Sequence, residues 1–318
     1  MSKVLINQKL ALESNKYKKN LMHEIKKHKY LIILLVPALI WYIIFCYVPM
    51  YGNIMAFKQY NFRLGIFGSP WVGFQKFERA FSDPGFWLVF KNQIVISLMM
   101  LLITFPLPII FSFMLNELRG NKLKRFFQTA YTFPHFLSWI VVAGIFFNIL
   151  SYDGIYNQIS TFFGGSTNDI LMNQKLFRGF LYFTQAWKET GWGTIIYLAA
   201  LAGINPELYQ AASIDGANRY QQMLNITWPG LKSTVTVLFI LAVGSVLSTG
   251  FDQIVNLYNP TVFKVADIVD TYIYRSALIR GDDYSYMAAI GLFKSVINLV
   301  LLAIANYSTR FIGEEGIF

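Results

Sequence analysis

Six apolar runs follow one another along this chain, at about residues 30–51, 92–116, 134–150, 179–204, 234–250 and 284–307. Each approaches or exceeds the roughly 20 residues a helix needs to cross a bilayer. Hydrocarbon offers no water to backbone N–H and C=O groups, so such runs must close their hydrogen bonds internally, as helices. The chain is 55% hydrophobic and 14% charged, a balance that takes it out of the range of ordinary soluble domains. The expected fold class is therefore all-α and integral to the membrane, with six transmembrane helices.

The first run, Tyr30 to about Tyr51, carries no charge. It is too long for a signal-peptide core and lacks a small-residue cleavage site, so it reads as a retained span. Residues 1–29 precede it as a basic arm, and residues 30–318 form the transmembrane domain. The net charge of +10 raises the question of nucleic acid. However, eight of the 27 Lys and Arg residues lie in the first 29 positions, with no basic groove of interleaved stacking aromatics. Topology accounts for that placement better than phosphate binding, and no nucleic-acid partner is expected. With the arm inside, both termini and the loops near 117–133 and 205–232 face the cytoplasm. The inner segments then hold 15 Lys and Arg residues against 10 in the outer loops, with two inside spans.

Between the runs, residues 52–90 suit an outer loop with an interfacial helix around Phe74 to Phe86, its aromatic residues anchoring at the membrane boundary. Pro106 and Pro108 predict a kink inside the second span. ELRGNKLKRF (117–126) reads as a short basic cytoplasmic loop. Residues 151–169 and 252–283 read as outer loops, the second containing five acidic residues. No soluble domain and no inverted repeat stands out. Ala242, Gly244, Ser245 and Ser248 in the fifth span, with Gly291 and Ser295 in the sixth, favour close helix approach.

Chemistry is sparse. The one cysteine, Cys46, lies in an apolar run and excludes both an internal disulfide and a cysteine-based metal site. His23, His28 and His135 are too scattered for a metal cluster; the first two belong to the basic arm, and His135 reads as packed near a membrane boundary. Gly230-Leu231-Lys232-Ser233-Thr234 lacks the glycines of a phosphate-wrapping loop, so no ATP hydrolysis is expected in this chain and any energy would come from a partner. No cofactor, metal or catalytic residue is expected in this chain. The ionisable groups inside spans are Lys188, Glu189 and Lys294, expensive in hydrocarbon and expected to face a bundle interior or a wet cavity. Adjacent on one helix, Lys188 and Glu189 point about 100° apart and are not expected to pair with each other. Two readings stand for this group. Either they line a polar path through the bundle with Gln185, Trp187 and Asn298, where Trp187 and Trp192 offer aromatic faces, or they pair with other helices as structural glue.

Residues 205–231, NPELYQAASIDGANRYQQMLNITWPGL, are a mostly polar segment between two apolar runs. Asn205 and Pro206 supply an N-cap and first helical residue, and Glu207 adds first-turn negative charge. Asp215 and Gly216 mark a turn, and Pro229 restarts the chain as it re-enters the apolar phase. Ala211 and Ala212 leave a smooth patch, so the segment reads as a docking knob of two short helices.

This segment resembles the cytoplasmic coupling loop of permease subunits of binding-protein-dependent ABC importers. The family's pattern is Glu-Ala-Ala, three residues, Gly, nine residues, then Ile-x-Leu-Pro. Here it reads Gln210, Ala211, Ala212, Gly216, Ile226, Trp228 and Pro229, with Gln210 replacing the acidic residue and Trp228 the leucine. Asp215 keeps a carboxylate nearby, and IDGA, through Ala217, is similar to the sugar-transporting branch. The runs at 65–87, 187–217, 251–278 and 284–310 resemble polysaccharide or lipoprotein permeases near the pectin and rhamnogalacturonan oligosaccharide importers. The resemblance implies the six-span permease fold of type I importers and alternating access in a heteromeric complex. Its partners would be a second homologous permease, two copies of a cytoplasmic ATPase carrying ATP and Mg, an extracytoplasmic sugar-binding protein, an oligosaccharide and the lipid bilayer. The ATPase cleft would receive Gln210, Ala211, Ala212, Asp215, Gly216, Ala217, Ile226 and Pro229. Import of another polar solute, or a membrane scaffold that moves nothing itself, are the alternatives.

Overall fold

The computed structural model describes residues 27–118 and 120–308. Most of the basic arm and the last ten residues lie outside that range. Among the described residues the chain is helical without a named strand. Five helices are long and apolar enough to cross a membrane: α1 Lys29–Phe57, α3 Pro84–Glu117, a stretch Trp139–Phe162, α9 Arg219–Gly244 and α12 Tyr284–Ser308. Between α1 and α3 stands the short α2, Gln75–Ser82. The expected fourth span corresponds to α7, Gln174–Ala202, which is as long but carries Lys175, Arg178, Lys188 and Glu189. Those charges keep it from qualifying as a free-standing apolar span. They are tolerated because α7 is the central helix, packed against α3, α9 and the helix Asn121–Thr132.

Local sequence explains where these helices start and break. Asp83 caps α3 by accepting from the Gly85 N–H, and Pro84 takes the first position, where a missing donor costs nothing. The helix is interrupted at Phe105, directly before Pro106, as proline's lost N–H requires. The segment after it departs from the sequence reading. Instead of a basic loop through residue 126, α4 forms at Asn121–Thr132 with an amphipathic pattern. A 3₁₀ turn at Phe133–Phe136 then breaks the chain around Pro134, and Ser138 caps α5, Trp139–Leu150, through the Val141 N–H. A further short helix, α6, covers Ile155–Phe162.

The largest departure concerns residues 252–283. Sequence polarity points to a loop standing clear of the membrane, yet Ile254, Leu257, Val262, Ala266, Ile268 and Val269 are fully buried. After Gly250, in the left-handed region at φ +96°, α10 (Phe251–Leu257) packs into a core of Ile96, Met100, Ala143, Phe177 and Leu181. The chain then turns back as α11, Val269–Ile273, and continues into a π-turn at Tyr274–Ile279. Short apolar runs spaced by Asn, Pro and Asp hide this packing, because each is too short to register as a helix alone.

Polar side chains tie the folded-back segment to the bundle. Asn92 donates to the Lys264 and Asp267 carbonyls, and Arg178 bridges Asn92 Oδ1 at 2.7 Å and the Val265 carbonyl at 2.9 Å. Gln253 Nε2 donates to Thr184 Oγ1 and to the Leu181 carbonyl, both at 2.7 Å. Asp267 holds Arg275 in a two-point ion pair, and the guanidinium lies 4.2 Å from the Phe263 ring centre. A separate core of Ile109, Tyr197, Leu201 and Leu231 closes the other end of the bundle.

Candidate functional site

The end of the bundle carrying residues 203–231 is built by two side-chain N-caps and a glycine turn between them. Asn205 Oδ1 accepts from the Glu207 N–H at 2.9 Å and starts α8, Pro206–Ile214. The exit is a Schellman turn: the Gly216 N–H bonds the Ser213 carbonyl and the Ala217 N–H bonds the Ala212 carbonyl. Gly216 sits at φ +82°, the left-handed conformation this turn demands and that a Cβ disfavours. Asn218 and Gln221 then form a capping box that opens α9.

Two contacts fix the angle between α8 and α9. Buried Gln222 donates to Ser213 Oγ at 2.8 Å and to the Ala217 carbonyl at 3.1 Å. Tyr209 and Thr227 share a hydroxyl bond at 3.0 Å. Gln210, Ala211, Asp215 and Gly216 are exposed, Ala212, Ala217 and Ile226 half-buried, and Ile214 is 87% exposed. An open hollow of about 510 Å³ lies between Tyr209, Gln210, Ser213, Asn218, Arg219 and Gln222. The result is a rigid two-helix knob with an apolar tip. Pro229 lies in the first turn of the apolar helical stretch Trp228–Gly244, which continues the path of α9. A π-turn at Met223–Thr227 precedes it, loosening the ladder where proline supplies no N–H.

The second group of candidate residues lies along α7 and α12. Lys188, 5% exposed, donates to the His135 carbonyl at 2.7 Å, an acceptor freed by the break between α4 and α5. Glu189 meets His135 Nδ1 at 2.8 Å, and His135 stacks on Trp192 at 4.5 Å between ring centres. Contrary to the helical-angle argument, Lys188 Nζ and Glu189 Oε1 approach to 3.4 Å, because both side chains bend toward His135. Lys294 is clamped by both carboxylate oxygens of Asp270, at 2.6 and 2.5 Å. Asn298 donates to the Gly244 carbonyl at 2.5 Å, tying α12 to α9. Trp187 sets its ring edge-on to Phe146, and Gln185 is half-buried one turn from Glu189.

The structure thus brings Lys188, Glu189, Trp192 and His135 together and places Lys294 and Asn298 in separate structural contacts. Sequence reasoning passed over Asn92, Arg178, Gln253 and Asp270, whose roles depend on partners many residues away. The available signal was Asn92, polar at the start of the second apolar run; Arg178 lies just before the fourth run, and Gln253 and Asp270 lie in a stretch whose polarity resembles a loop.

A bundle of long apolar helices with buried polar cross-links and one capped, solvent-facing helical knob defines a multi-pass membrane protein of the permease class. The family described as the binding-protein-dependent transport system inner membrane component matches residues 104–313, and the chain belongs to it. That family transports rather than catalyses. The chain is 42% identical over 302 residues to the polygalacturonan/rhamnogalacturonan transport system permease protein YteP of Bacillus subtilis (strain 168), covering 95% of this chain and 94% of that protein. It is also 42% identical over 298 residues to Protein LplB of the same organism, covering 93% of each. A bacterial ABC transporter involved in the import of the acidic polysaccharide alginate has a chain of similar structure, with a TM-score of 0.84, 37% identity and coverage of 92% and 99%. An alginate ABC transporter solved in complex with an alginate pentasaccharide-bound periplasmic protein matches equally, covering 98% of its chain.

Proposed function

We propose that this chain is the permease subunit of an ATP-driven importer that passes an oligosaccharide from an extracytoplasmic binding protein into the cytoplasm by alternating access. The knob formed by α8 and the start of α9 carries the reading: it is rigid, capped at both ends, and presents Gln210, Ala211, Asp215 and Gly216 to solvent. In this reading it faces the cytoplasm and docks in a cleft of each complex's ATPase, of which two copies bind ATP and Mg. With Gln210 in place of a carboxylate, docking rests on shape, on Asp215 and on the exposed Ile214. A second, homologous permease completes the path. The first part of α1 buries no residue against its own chain, leaving that face to lipid and a neighbouring subunit.

Sugar contact is assigned to the α7 face that carries Gln185, Glu189 and Trp192, beside the helix break at His135. Lys188, Lys294 and Asn298 act as positioning groups, since each is held by a partner in this chain. The relatives that handle polygalacturonan, rhamnogalacturonan or alginate make an acidic oligosaccharide the first substrate to try.

The test is reconstitution of the full complex in vesicles with oligogalacturonate- or alginate-binding proteins. ATP-dependent sugar uptake is expected. Replacing Gly216 by Val should leave the chain inserted but cut uptake per ATP hydrolysed by about tenfold or more, since the αL turn costs a β-branched residue ~1–2 kcal/mol and moves the knob. Absent uptake with every partner present, or unchanged coupling in the Gly216→Val complex, counts against the reading.

A further inference from the structure

Between the second half of α3 and helix α4 lies an apolar hollow of about 300 Å³, lined by Phe111, Met114, Leu115, Leu118, Phe127 and Tyr131. Its two ends differ chemically. At one end, Tyr131 packs edge-on against Phe111 at 5.4 Å, and its hydroxyl is buried without a hydrogen-bond partner among the described residues. Toward the start of α4, one turn before Phe127, stand Lys122, Lys124 and Arg125, none of which forms an ion pair among the described residues. Lys124, Phe127 and Tyr131 follow one another at spacings of three and four and therefore share the face of α4 that lines the hollow. Lys124 is half-buried, whereas Lys122 and Arg125 on either side are exposed.

We infer that this hollow is a binding site for an anionic phospholipid of the inner leaflet. An acyl chain lies against Phe111, Met114, Leu115 and Phe127, and the headgroup phosphate meets Lys124, with Lys122 and Arg125 adding to the positive field. Tyr131 lies seven residues along α4 from Lys124, about 10 Å, and this reading sets that direction inward from the headgroups. The headgroup zone of a leaflet is about 5–8 Å thick, so with the lysine reaching outward Tyr131 falls near the ester oxygens. Such an oxygen is the acceptor its buried hydroxyl lacks, and burying that hydroxyl without one is costly. Charge selects the occupant: an apolar slot beneath three unpaired cations favours an anionic headgroup over a zwitterionic one. The assignment to the inner leaflet rests on the cytoplasmic placement of the α8 knob proposed above. Glu117 at the end of α3 reaches Arg219 of that knob at 3.8 Å, so the hollow's basic mouth and the knob share one end of the bundle.

The experiment is native mass spectrometry of the purified complex titrated with phosphatidylglycerol or phosphatidylcholine. Wild type should retain phosphatidylglycerol in preference to phosphatidylcholine. Lys124→Gln should weaken that retention about fivefold, the worth of one cation near a charged headgroup. Met114→Trp, which fills the slot and leaves the cations in place, should abolish it. Equal retention of both lipids, no retention by wild type, or unchanged retention in both variants overturns the site. Sugar uptake measured on the same preparations keeps the two proposals apart: uptake without lipid preference sinks only the lipid site. Labelling of Lys122→Cys, in a chain carrying Cys46→Ser, from the outer face alone would remove the inner-leaflet placement and with it the cytoplasmic knob.

Discussion

At the scale of single residues, the charges inside the bundle are held by partners the chain itself supplies. Lys294, 8% exposed, is bonded to both oxygens of Asp270, whose side chain is 27% exposed. Removing one partner leaves the other in a medium that solvates it poorly, whereas removing both leaves no orphan. Lys294→Met should therefore destabilise the chain by about 3 kcal/mol and Asp270→Asn by somewhat less. The double variant should recover about 1–3 kcal/mol of their sum, read as a coupling energy from thermal unfolding in detergent. Additive losses would mean the pair contributes no specific interaction. The sequence marked Lys294 as unusual because a cation in an apolar run is unusual. Its partner was hidden, since Asp270 lies in a stretch whose polarity resembles a loop.

At the scale of elements, α7 organises the bundle through close approach to two neighbours, at Gly193 beside Pro108 of α3 and at Gly191 beside α4. Gly191 lies where any Cβ would stand 2.1 Å from the Tyr131 carbonyl oxygen of α4, an overlap with backbone that no rotamer relieves. Gly179, on the same helix, has open space around the equivalent position. Alanine at 179 should stabilise the helix by about 0.5–1 kcal/mol through lower backbone entropy. Alanine at 191 should instead destabilise by roughly 1–3 kcal/mol as α4 is pushed away. Melting temperatures of the two single variants in one detergent check the contrast; a loss at both positions would show that propensity, not packing, decides. The knob of α8 and early α9 was legible as an N-cap, a turn and polarity because those signals are local, Asn205 with Glu207 and the Asp215–Gly216 turn; the Asn218–Gln221 box emerged only in the structure. The break between α4 and α5 was only half legible. Pro134 announces a boundary, but the helix before it is amphipathic rather than apolar and so reads as a loop.

At the scale of the whole molecule, the end far from the knob is closed by one carboxylate that joins distant segments. Asp283 accepts from Lys76 at 2.6 Å and Arg79 at 3.0 Å, both on α2, while Lys76 also meets Gln59. Nearby, Tyr286 donates to Asp83 at 2.6 Å, and the Tyr60 N–H donates to Ser285 Oγ at 2.9 Å. Burial alone works to raise the Asp283 pKa, but the bond from Lys76, the Tyr286 N–H and the charges of Lys76 and Arg79 outweigh it and hold it below the usual carboxylate value. A depressed folded pKa contributes stability that is fully present above the unfolded value of about 3.9 and is lost as pH falls below it. Wild type should therefore exceed Asp283→Asn in melting temperature at pH 7, by a margin equivalent to about 2 kcal/mol, and the margin should shrink between about pH 5 and pH 3. A pH-independent margin would assign the loss to shape rather than charge.

Residue order alone determined that this chain is a helical membrane protein with a capped polar knob between two spans, and the family resemblance followed from that knob's spacing. Both rest on interactions between near neighbours: backbone bonds closed within a helix, caps within three residues, and apolar length matched to hydrocarbon thickness. Tertiary structure decided the rest. It folded residues 252–283 back among α3, α7 and α12, made α7 a buried axis despite its charges, and turned Lys188, Lys294 and Asn298 into cross-links. The physical reason is the same in each case. A polar group in a low-dielectric interior takes its meaning from the partner that satisfies it, and here Asp270 lies 24 residues from Lys294 and the His135 carbonyl 53 residues from Lys188.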